Sequence, residues 1–125
     1  LDGSGRASVV LLGGTVFRND GAGGLLAPID YLLPTGYGRI VAADVDGDGA
    51  PDLVQAMQFF MMSTLREGIG IAANDGHAAF PTPPTLLPVL GIADAAPAEL
   101  NGDGAVDFVV GDTYAVSVVL STGCM

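Results

Sequence analysis

The sequence predicts an all-β fold built from repeated antiparallel units, and three observations support this prediction. The tract Asp44–Asp52, D-V-D-G-D-G-A-P-D, is matched 55 residues later by E-L-N-G-D-G-A-V-D at Glu99–Asp107. A second pair of segments, N-D-G-A-G-G-L at Asn19–Leu25 and N-D-G-H-A-A-F at Asn74–Phe80, has the same 55-residue spacing. The residues flanking these tracts are short, apolar and β-branched runs, which are typical of strands. Repeated strand–turn units are therefore expected.

Each acidic tract is predicted to join two strands of a hairpin. The run R-I-V-A-A-D leads into the first tract, and D-L-V-Q-A or D-F-V-V-G leads out. An EF-hand loop opens in a similar way, but it lies between helices and ends with a bidentate Glu at place twelve. Place twelve is Gln55 in the first tract and Val110 in the second. The tracts are therefore expected at the tips of β-hairpins.

Both tracts carry oxygen-bearing side chains at places one, three, five and nine, with Gly at place six. Ca²⁺ takes about six to eight oxygen ligands, and carboxylates this close repel one another without a cation. We therefore predict one Ca²⁺ in each tract. The predicted ligands are Asp44, Asp46, Asp48, the carbonyl of Ala50 and Asp52 in the first tract, and Glu99, Asn101, Asp103, the carbonyl of Ala105 and Asp107 in the second. The alternative is a solvated acidic turn without an ion, which Asn101 favours in the second tract because it lowers the charge.

A degenerate third copy opens the chain. L-D-G-S-G-R-A-S at Leu1–Ser8 aligns with L-N-G-D-G-A-V-D at Leu100–Asp107. Ser4 and Ser8 replace the carboxylates of places five and nine. This copy is predicted to keep the turn and to bind metal weakly or not at all.

The remaining signals complete the repeating unit. Asp-Gly after a β-branched run predicts a tight hairpin turn in which both turn residues have positive φ. The proline-rich segments downstream, 27–33 and 81–90, suit the edge of a sheet. Each unit thus consists of a strand, an acidic loop, a strand, a connection, a strand, an Asn-Asp-Gly turn and a strand. About four strands per repeat of this length are typical of a propeller blade.

On this template the whole chain, residues 1–125, forms about two and a half antiparallel four-stranded blades. We assign a partial blade to 1–38, a full blade to 39–93 and a partial blade to 94–125. The partial blades are expected to be completed by neighbouring chains, head to tail in rings or filaments, or by the remaining blades of a longer parent chain. The segment Met57–Arg66 is predicted to hold a bulged or extended hairpin or a short helical turn. Its apolar residues are predicted to lie in the core between blades: Met57, Phe59, Phe60, Met61 and Met62.

The pairing of D-x-D-x-D-G-x-x-D with a following N-D-G-x-x-x-F resembles the FG-GAP and VCBS repeats. These repeats build calcium-binding β-propellers such as the head of integrin α-chains and many secreted bacterial proteins. The resemblance is strong at both acidic tracts and both Asn-Asp-Gly segments, and weak over the first 18 residues. It implies that Ca²⁺ makes the blades rigid, that the protein works outside the cell, and that adhesion or carbohydrate contact lies elsewhere on the propeller. Glu99 at place one departs from the pattern.

Composition argues against several classes of function. The chain has 4 Arg, no Lys and 14 acidic residues, so its net charge is −10. Nucleic acids and anionic membrane surfaces require basic protein surfaces, and both are therefore unlikely partners. No apolar run approaches the roughly 18–20 residues of a membrane-spanning helix. Cys124 is the single cysteine, so an internal disulfide is impossible.

No catalytic constellation is recognisable, and the chain is predicted not to be an enzyme. His77 has no second histidine or cysteine with which to share a metal and is expected to be an exposed turn residue. Three functions stay open: a calcium-stabilised structural or adhesive protein that forms oligomers or filaments, a lectin-like propeller that binds glycans through Tyr31, Tyr37 or Tyr114, and a non-catalytic accessory domain of a secreted enzyme. The first is preferred because the repeated loops are the dominant feature.

Overall fold

A computed structural model describes residues 1–31, 38–81 and 83–122. Within these ranges the chain is all-β as predicted, and no helix is present that is long and apolar enough to cross a membrane. The described strands are β1 (Val9–Leu11), β2 (Thr15–Phe17), β3 (Ile29–Asp30), β4 (Ile40–Ala43), β5 (Asp52–Met61), β6 (Thr64–Ala72), β7 (Thr85–Pro88), β8 (Asp94–Ala98), β9 (Asp107–Gly111) and β10 (Val116–Val119).

The strands form three antiparallel sheets in which neighbours along the chain are neighbours in space. The first sheet has the order β1-β2-β3, the second β4-β5-β6-β7, and the third β8-β9-β10. The sheets fall within the three segments 1–38, 39–93 and 94–125. The proline-flanked strands β3 and β7 both lie at a sheet edge, which confirms the prediction from their composition.

The three sheets stack face to face, with the second sheet in the middle. Successive side chains of a strand point to opposite faces, so Leu53 packs toward the first sheet and Val54 toward the third. The buried residues between the first and second sheets are Val16, Leu53, Ala72, Ala78 and Phe80. Those between the second and third are Val54, Ala56, Ile69, Ile92, Ala95, Phe108 and Val110. Both faces of the second sheet are thus covered.

The segment joining β5 and β6 is an extended hairpin. Its two turn residues, Met62 and Ser63, have φ values of 49° and 65°, as in a two-residue type I′ turn. β4 pairs with β5 only as far as Gln55, and β7 pairs with β6 only as far as Gly68. The residues from Gln58 to Glu67 therefore form a two-stranded ribbon that continues past the neighbouring strands.

This ribbon changes the predicted core. Met57, at its base, is buried as predicted, with 4% of its surface exposed. Phe60 and Met62 are 76% and 97% exposed, so their predicted burial between sheets is wrong. The reason is that the ribbon extends beyond the strands that would cover them. The side chains of Phe59 and Met61 lie outside the described part of the structure.

The two Asn-Asp-Gly segments fold alike, as wider loops than predicted. In both, the Asp N–H donates to the carbonyl four residues later, at 3.1 Å in the first segment and 2.9 Å in the second. Gly21 and Gly76 have φ values of 81° and 82°, whereas Asp20 and Asp75 do not have positive φ. The predicted tight turn is wrong because each Asp carboxylate accepts N–H groups two and four residues on and so holds a wider loop. His77 is exposed in this loop, as predicted.

Candidate metal centre

The two acidic tracts lie at equivalent places, each between the first and second strand of its sheet. Asp44–Asp52 joins β4 to β5, and Glu99–Asp107 joins β8 to β9, which confirms the predicted hairpin tips. Two glycines with positive φ shape each tip: Gly47 and Gly49 have φ of 79° and 88°, and in the second loop both values are 81°. A residue with a Cβ adopts this left-handed conformation only at a cost. The glycine spacing therefore produces the same backbone twice.

Three carboxylates converge in the first loop. One oxygen of Asp44, one of Asp46 and one of Asp48 all lie within 4.8 Å of one another, and Asp46 and Asp48 are exposed. Within the described ranges no other group of three acidic, histidine or cysteine residues comes together in this way. Places one, three and five of the first tract are thus brought together as predicted.

Backbone N–H groups orient these three carboxylates. Asp44 accepts from Gly47 and Gly49 with its two oxygens, both at 2.9 Å. Asp48 accepts from the N–H of Ala50 at 2.7 Å, and Asp46 accepts from the N–H of Asp48 at 3.1 Å. A carboxylate has about four lone-pair sites, so these bonds leave acceptor capacity for a cation.

The electrostatics of the cluster favour a bound cation. Partial loss of hydration raises the pKa of the exposed Asp46 carboxylate, and the nearby charges of Asp52, Asp48 and Asp44 raise it further, against the opposing hydrogen bond from the Asp48 N–H. Like charges at short range disfavour the ionised form, and a cation reverses this effect. Carboxylate oxygens are also the donors that hard cations prefer. The side chains present therefore fit Ca²⁺.

The carboxylate at place nine of the first loop has a structural role that the sequence did not reveal. Asp52 is 1% exposed, and one of its oxygens accepts from the N–H of Val45 at 2.9 Å while the other accepts from the N–H of Asn74 at 2.9 Å. It thus ties the base of the acidic loop to the Asn-Asp-Gly loop. The signal in the sequence is a carboxylate at the first position of an apolar strand, since burying a charge requires hydrogen-bonding partners.

Asp107 occupies the same position in the third sheet. It is fully buried and accepts from the N–H of Leu100 at 2.9 Å and from the N–H of Ser121 at 2.8 Å. Burial acts to raise the pKa of Asp107, but the hydrogen bonds from Leu100 and Ser121 outweigh it, and the net pKa lies below the ordinary value. Both place-nine residues therefore clamp the ends of their loops. Their additional role as metal ligands stays a prediction.

Asn74 is a second residue with a structural role that was not predicted. It is 3% exposed, and its amide nitrogen donates to the carbonyls of Leu1 and Pro51 at 2.9 and 3.0 Å. Its amide oxygen accepts from the N–H groups of Gly76 and Ala78, both at 3.1 Å. Asn74 thereby connects the start of the chain, the end of the acidic loop and the Asn-Asp-Gly loop. The signal in the sequence is that Asn recurs at the same place in both Asn-Asp-Gly segments.

The second loop keeps the backbone but arranges its side chains differently. Asn101 donates from its amide nitrogen to Asp103 at 3.0 Å, and Asp103 accepts from the N–H of Ala105 at 2.8 Å. Glu99 accepts from the N–H of Asn101 at 3.0 Å. Among the described residues, Glu99, Asp103 and Asp107 do not form a group like that of the first loop. The Asp103 carboxylate thus accepts hydrogen bonds from within its own loop.

The degenerate first copy keeps the turn, as predicted. Asp2 accepts from the N–H of Ser4 at 3.1 Å, and Ser4 accepts through its hydroxyl from the N–H of Arg6 at 3.3 Å. Gly3 and Gly5 have φ values of 72° and 73°, close to those of the other two loops. The acidic residues at places five and nine are absent here, which leaves one carboxylate. Its weak metal binding stays a prediction.

The tyrosines considered for glycan contact are in different environments. The Tyr31 hydroxyl donates a hydrogen bond to the carbonyl of Ala78 at 2.7 Å. Its ring packs edge-on against that of Phe80, with 4.9 Å between the ring centroids. It therefore takes part in packing between the first and second sheets. Tyr114 is 95% exposed, and Tyr37 lies outside the described residues.

The geometry defines an all-β repeat protein of three stacked antiparallel sheets with acidic hairpin loops, one of which gathers three carboxylates. No protein-family model, curated protein or solved structure matched the chain in comparisons with known proteins.

Proposed function

We propose that this chain is a calcium-stabilised structural or adhesive repeat module that works outside the cell, built from propeller-blade units like those of the FG-GAP and VCBS repeats it resembles. It associates with further copies or further blades. The observation that carries this proposal is the cluster of Asp44, Asp46 and Asp48, whose oxygens lie within 4.8 Å of one another at a glycine-shaped hairpin tip.

The role of calcium is to offset repulsion within the cluster and so to hold the loop and its two strands together. At millimolar calcium and a Kd of ~10 μM, binding stabilises the folded state by about 2.7 kcal/mol. That is a large share of the roughly 5–15 kcal/mol by which domains are stable. Such a site fills where calcium is abundant, which supports a place outside the cell.

The architecture supports the identification of the sheets as blades. The sheets share one strand order, place their acidic loops at the same end, and bury the same strand positions against each other. In a propeller, neighbouring blades pack in this face-to-face manner. The partners that fit such a module are further sheets of the same kind.

Calcium titration by calorimetry, followed by melting curves with calcium and with chelator, tests the proposal. We expect one site of micromolar affinity and a higher melting temperature with calcium. Asp48→Asn should weaken both effects, because a neutral amide oxygen replaces a carboxylate oxygen, whereas Asp30→Asn, which changes an exposed carboxylate outside the loops, should keep them in full. A melting temperature that does not respond to calcium in the unaltered protein contradicts the proposal. Magnesium serves as the control for a general charge effect.

A further inference from the structure

The two interfaces inside the stack use equivalent positions. The residue after place nine is Leu53 in the second sheet and Phe108 in the third, and each is 2% exposed because it faces the preceding sheet. We call the side of a sheet that faces the preceding one its front face, and the opposite side its back face. Each interface therefore joins a back face to a front face.

The front face of the first sheet exposes residues that are buried in the other sheets. Val9 follows place nine, as Leu53 and Phe108 do, and is 45% exposed. Leu11, on the same side of β1, is 49% exposed. Leu25 is 51% exposed, whereas its equivalent in the second Asn-Asp-Gly segment, Phe80, is 8% exposed. This face thus presents exposed apolar side chains, beside the hydrogen-bonded pair of Thr15 and Asp30 that shares the register position of Leu11.

The back face of the third sheet shows the complementary pattern. Val118 pairs with Val109 as Val16 pairs with Val10, but Val118 is 54% exposed and Val16 fully buried. Val116 is 74% exposed. Its register position in the third sheet corresponds to that of Ile69 in the second sheet, which is fully buried. The stack thus ends in an exposed front face on one side and an exposed back face on the other.

We infer that the front face of the first sheet of one copy docks on the back face of the third sheet of another copy. The occupant is this same chain, because the interfaces within the chain already show that such a front face and such a back face bury each other. The contact joins two different surfaces, so it is heterologous and repeats from copy to copy. The inference rests on the self-association in the proposed function and is independent of calcium.

The sheet topology favours stacking over the sharing of strands. The first sheet holds the equivalents of β5, β6 and β7, and the third holds the equivalents of β4, β5 and β6. Both sheets contain the two middle strands of the four-stranded unit. One sheet therefore cannot complete the other, whereas their faces can pack as they do within the chain.

Sedimentation velocity over a range of concentrations tests the inference with two blocked variants. The front-blocked variant carries Val9→Asp with Leu11→Asp, and the back-blocked variant carries Val116→Asp with Val118→Asp. We expect the unaltered protein to form larger species with rising concentration and each variant to remain monomeric. An equimolar mixture of the variants should form a one-to-one dimer and nothing larger, because one competent pair of faces remains.

Three results would overturn the inference. A monomeric unaltered protein at about 100 μM excludes even a weak contact. A single variant that still dimerises shows that like faces pair. An equimolar mixture that remains monomeric shows that these two faces do not bind each other. A cooperative melting transition of each variant shows that it is folded. The calcium shift of that transition separates the two proposals, because association without a calcium shift overturns the calcium site alone.

Cross-linking provides a second measurement that does not depend on charged substitutions. In a Cys124→Ser background, Val9→Cys together with Val118→Cys places one thiol on each face. A short bis-maleimide should convert this protein into a ladder of covalent oligomers. Either single variant should remain uncross-linked, because the opposing face then carries no thiol. The absence of a ladder in the double variant contradicts the docking mode.

Discussion

The loop between β4 and β5 and the loop between β8 and β9 share one backbone but handle their charge in opposite ways. In the first, Asp46 lies beside Asp48, and the mutual repulsion contributes to a raised pKa. In the second, Asn101 stands at the place of Asp46 and donates to Asp103 at 3.0 Å. The residue at place three thus separates a loop in which three carboxylates converge from a loop in which an amide donates to a carboxylate. The backbone alone therefore does not determine how the carboxylates of the loop are arranged.

The largest effect on stability is expected at place nine, where both loops have a buried Asp. Asp52→Ala removes a buried acceptor of two backbone N–H groups and should lower the free energy of unfolding by about 3 kcal/mol. Urea unfolding of the variant and the unaltered protein, both in chelator, measures this difference in the free energy of unfolding. Asp48→Ala, at an exposed position, is the matched control and should cost less than about 1 kcal/mol there. Equal losses would show that Asp52 is not a clamp.

The extent to which calcium stabilises the fold should depend on the residue at place three of the first loop. Asp46→Asn gives the first loop the residue of the second and should reduce the calcium-dependent stabilisation of about 2.7 kcal/mol at millimolar calcium, because a neutral amide oxygen replaces a carboxylate oxygen. The fold should be unchanged in chelator, because the repulsion is also removed. Melting curves with and without calcium check the result. A variant that keeps the full calcium shift would place the ion elsewhere.

The reciprocal change in the second loop should have a smaller effect on the melting temperature. Asn101→Asp replaces the hydrogen bond to Asp103 with a repulsive pair and should lower the melting temperature in chelator. Added calcium should restore it, with a second binding event in calorimetry. Asn101→Ala is the control, since it removes the hydrogen bond without adding charge. Restoration of the Ala variant by calcium would argue against a gained ligand.

The smallest effect is expected from pH, with opposite signs at the two loops. The folded-state pKa of Asp46 is raised above 3.8, so its contribution to stability is favourable at low pH and is lost as pH rises through the raised pKa. The folded-state pKa of Asp107 is lowered below 3.8, so its contribution is present above that pH and is lost as pH falls through the lowered pKa.

Unfolding in urea and chelator between pH of about 3 and 7 measures both effects. Asp46→Asn should remove the part of the profile that weakens with rising pH. Asp107→Asn should remove part of the acid-side loss. Identical profiles for the two variants would show that the loops do not differ in electrostatics.

Local chemistry accounts for what could be predicted about the fold and the site. The hairpin tips follow from glycines such as Gly47 and Gly102, which adopt positive φ at little cost. The edge position of β7 follows from its prolines. The convergence of Asp44, Asp46 and Asp48 follows from alternate residues in one tight turn. Each of these predictions depends on neighbours within a few residues along the chain.

The features that were predicted wrongly, or not predicted, depend on contacts between distant parts of the chain. Phe60 and Met62 are apolar, and only the lengths of β4 and β7 decide that nothing covers them. The burial of Asp52 depends on Asn74, 22 residues away. No local pattern reports these distances.

The sequence by itself determined the repeat, the strand order within each unit and the loop that gathers three carboxylates. Those features arise from side-chain alternation, backbone preference and spacing, which act over one turn or one strand. Only the tertiary structure decided which faces of the sheets are covered and which stay exposed, and which carboxylates serve as clamps. Burial and hydrogen bonding between strands depend on how whole sheets stack, because each surface is covered by residues far away in the chain.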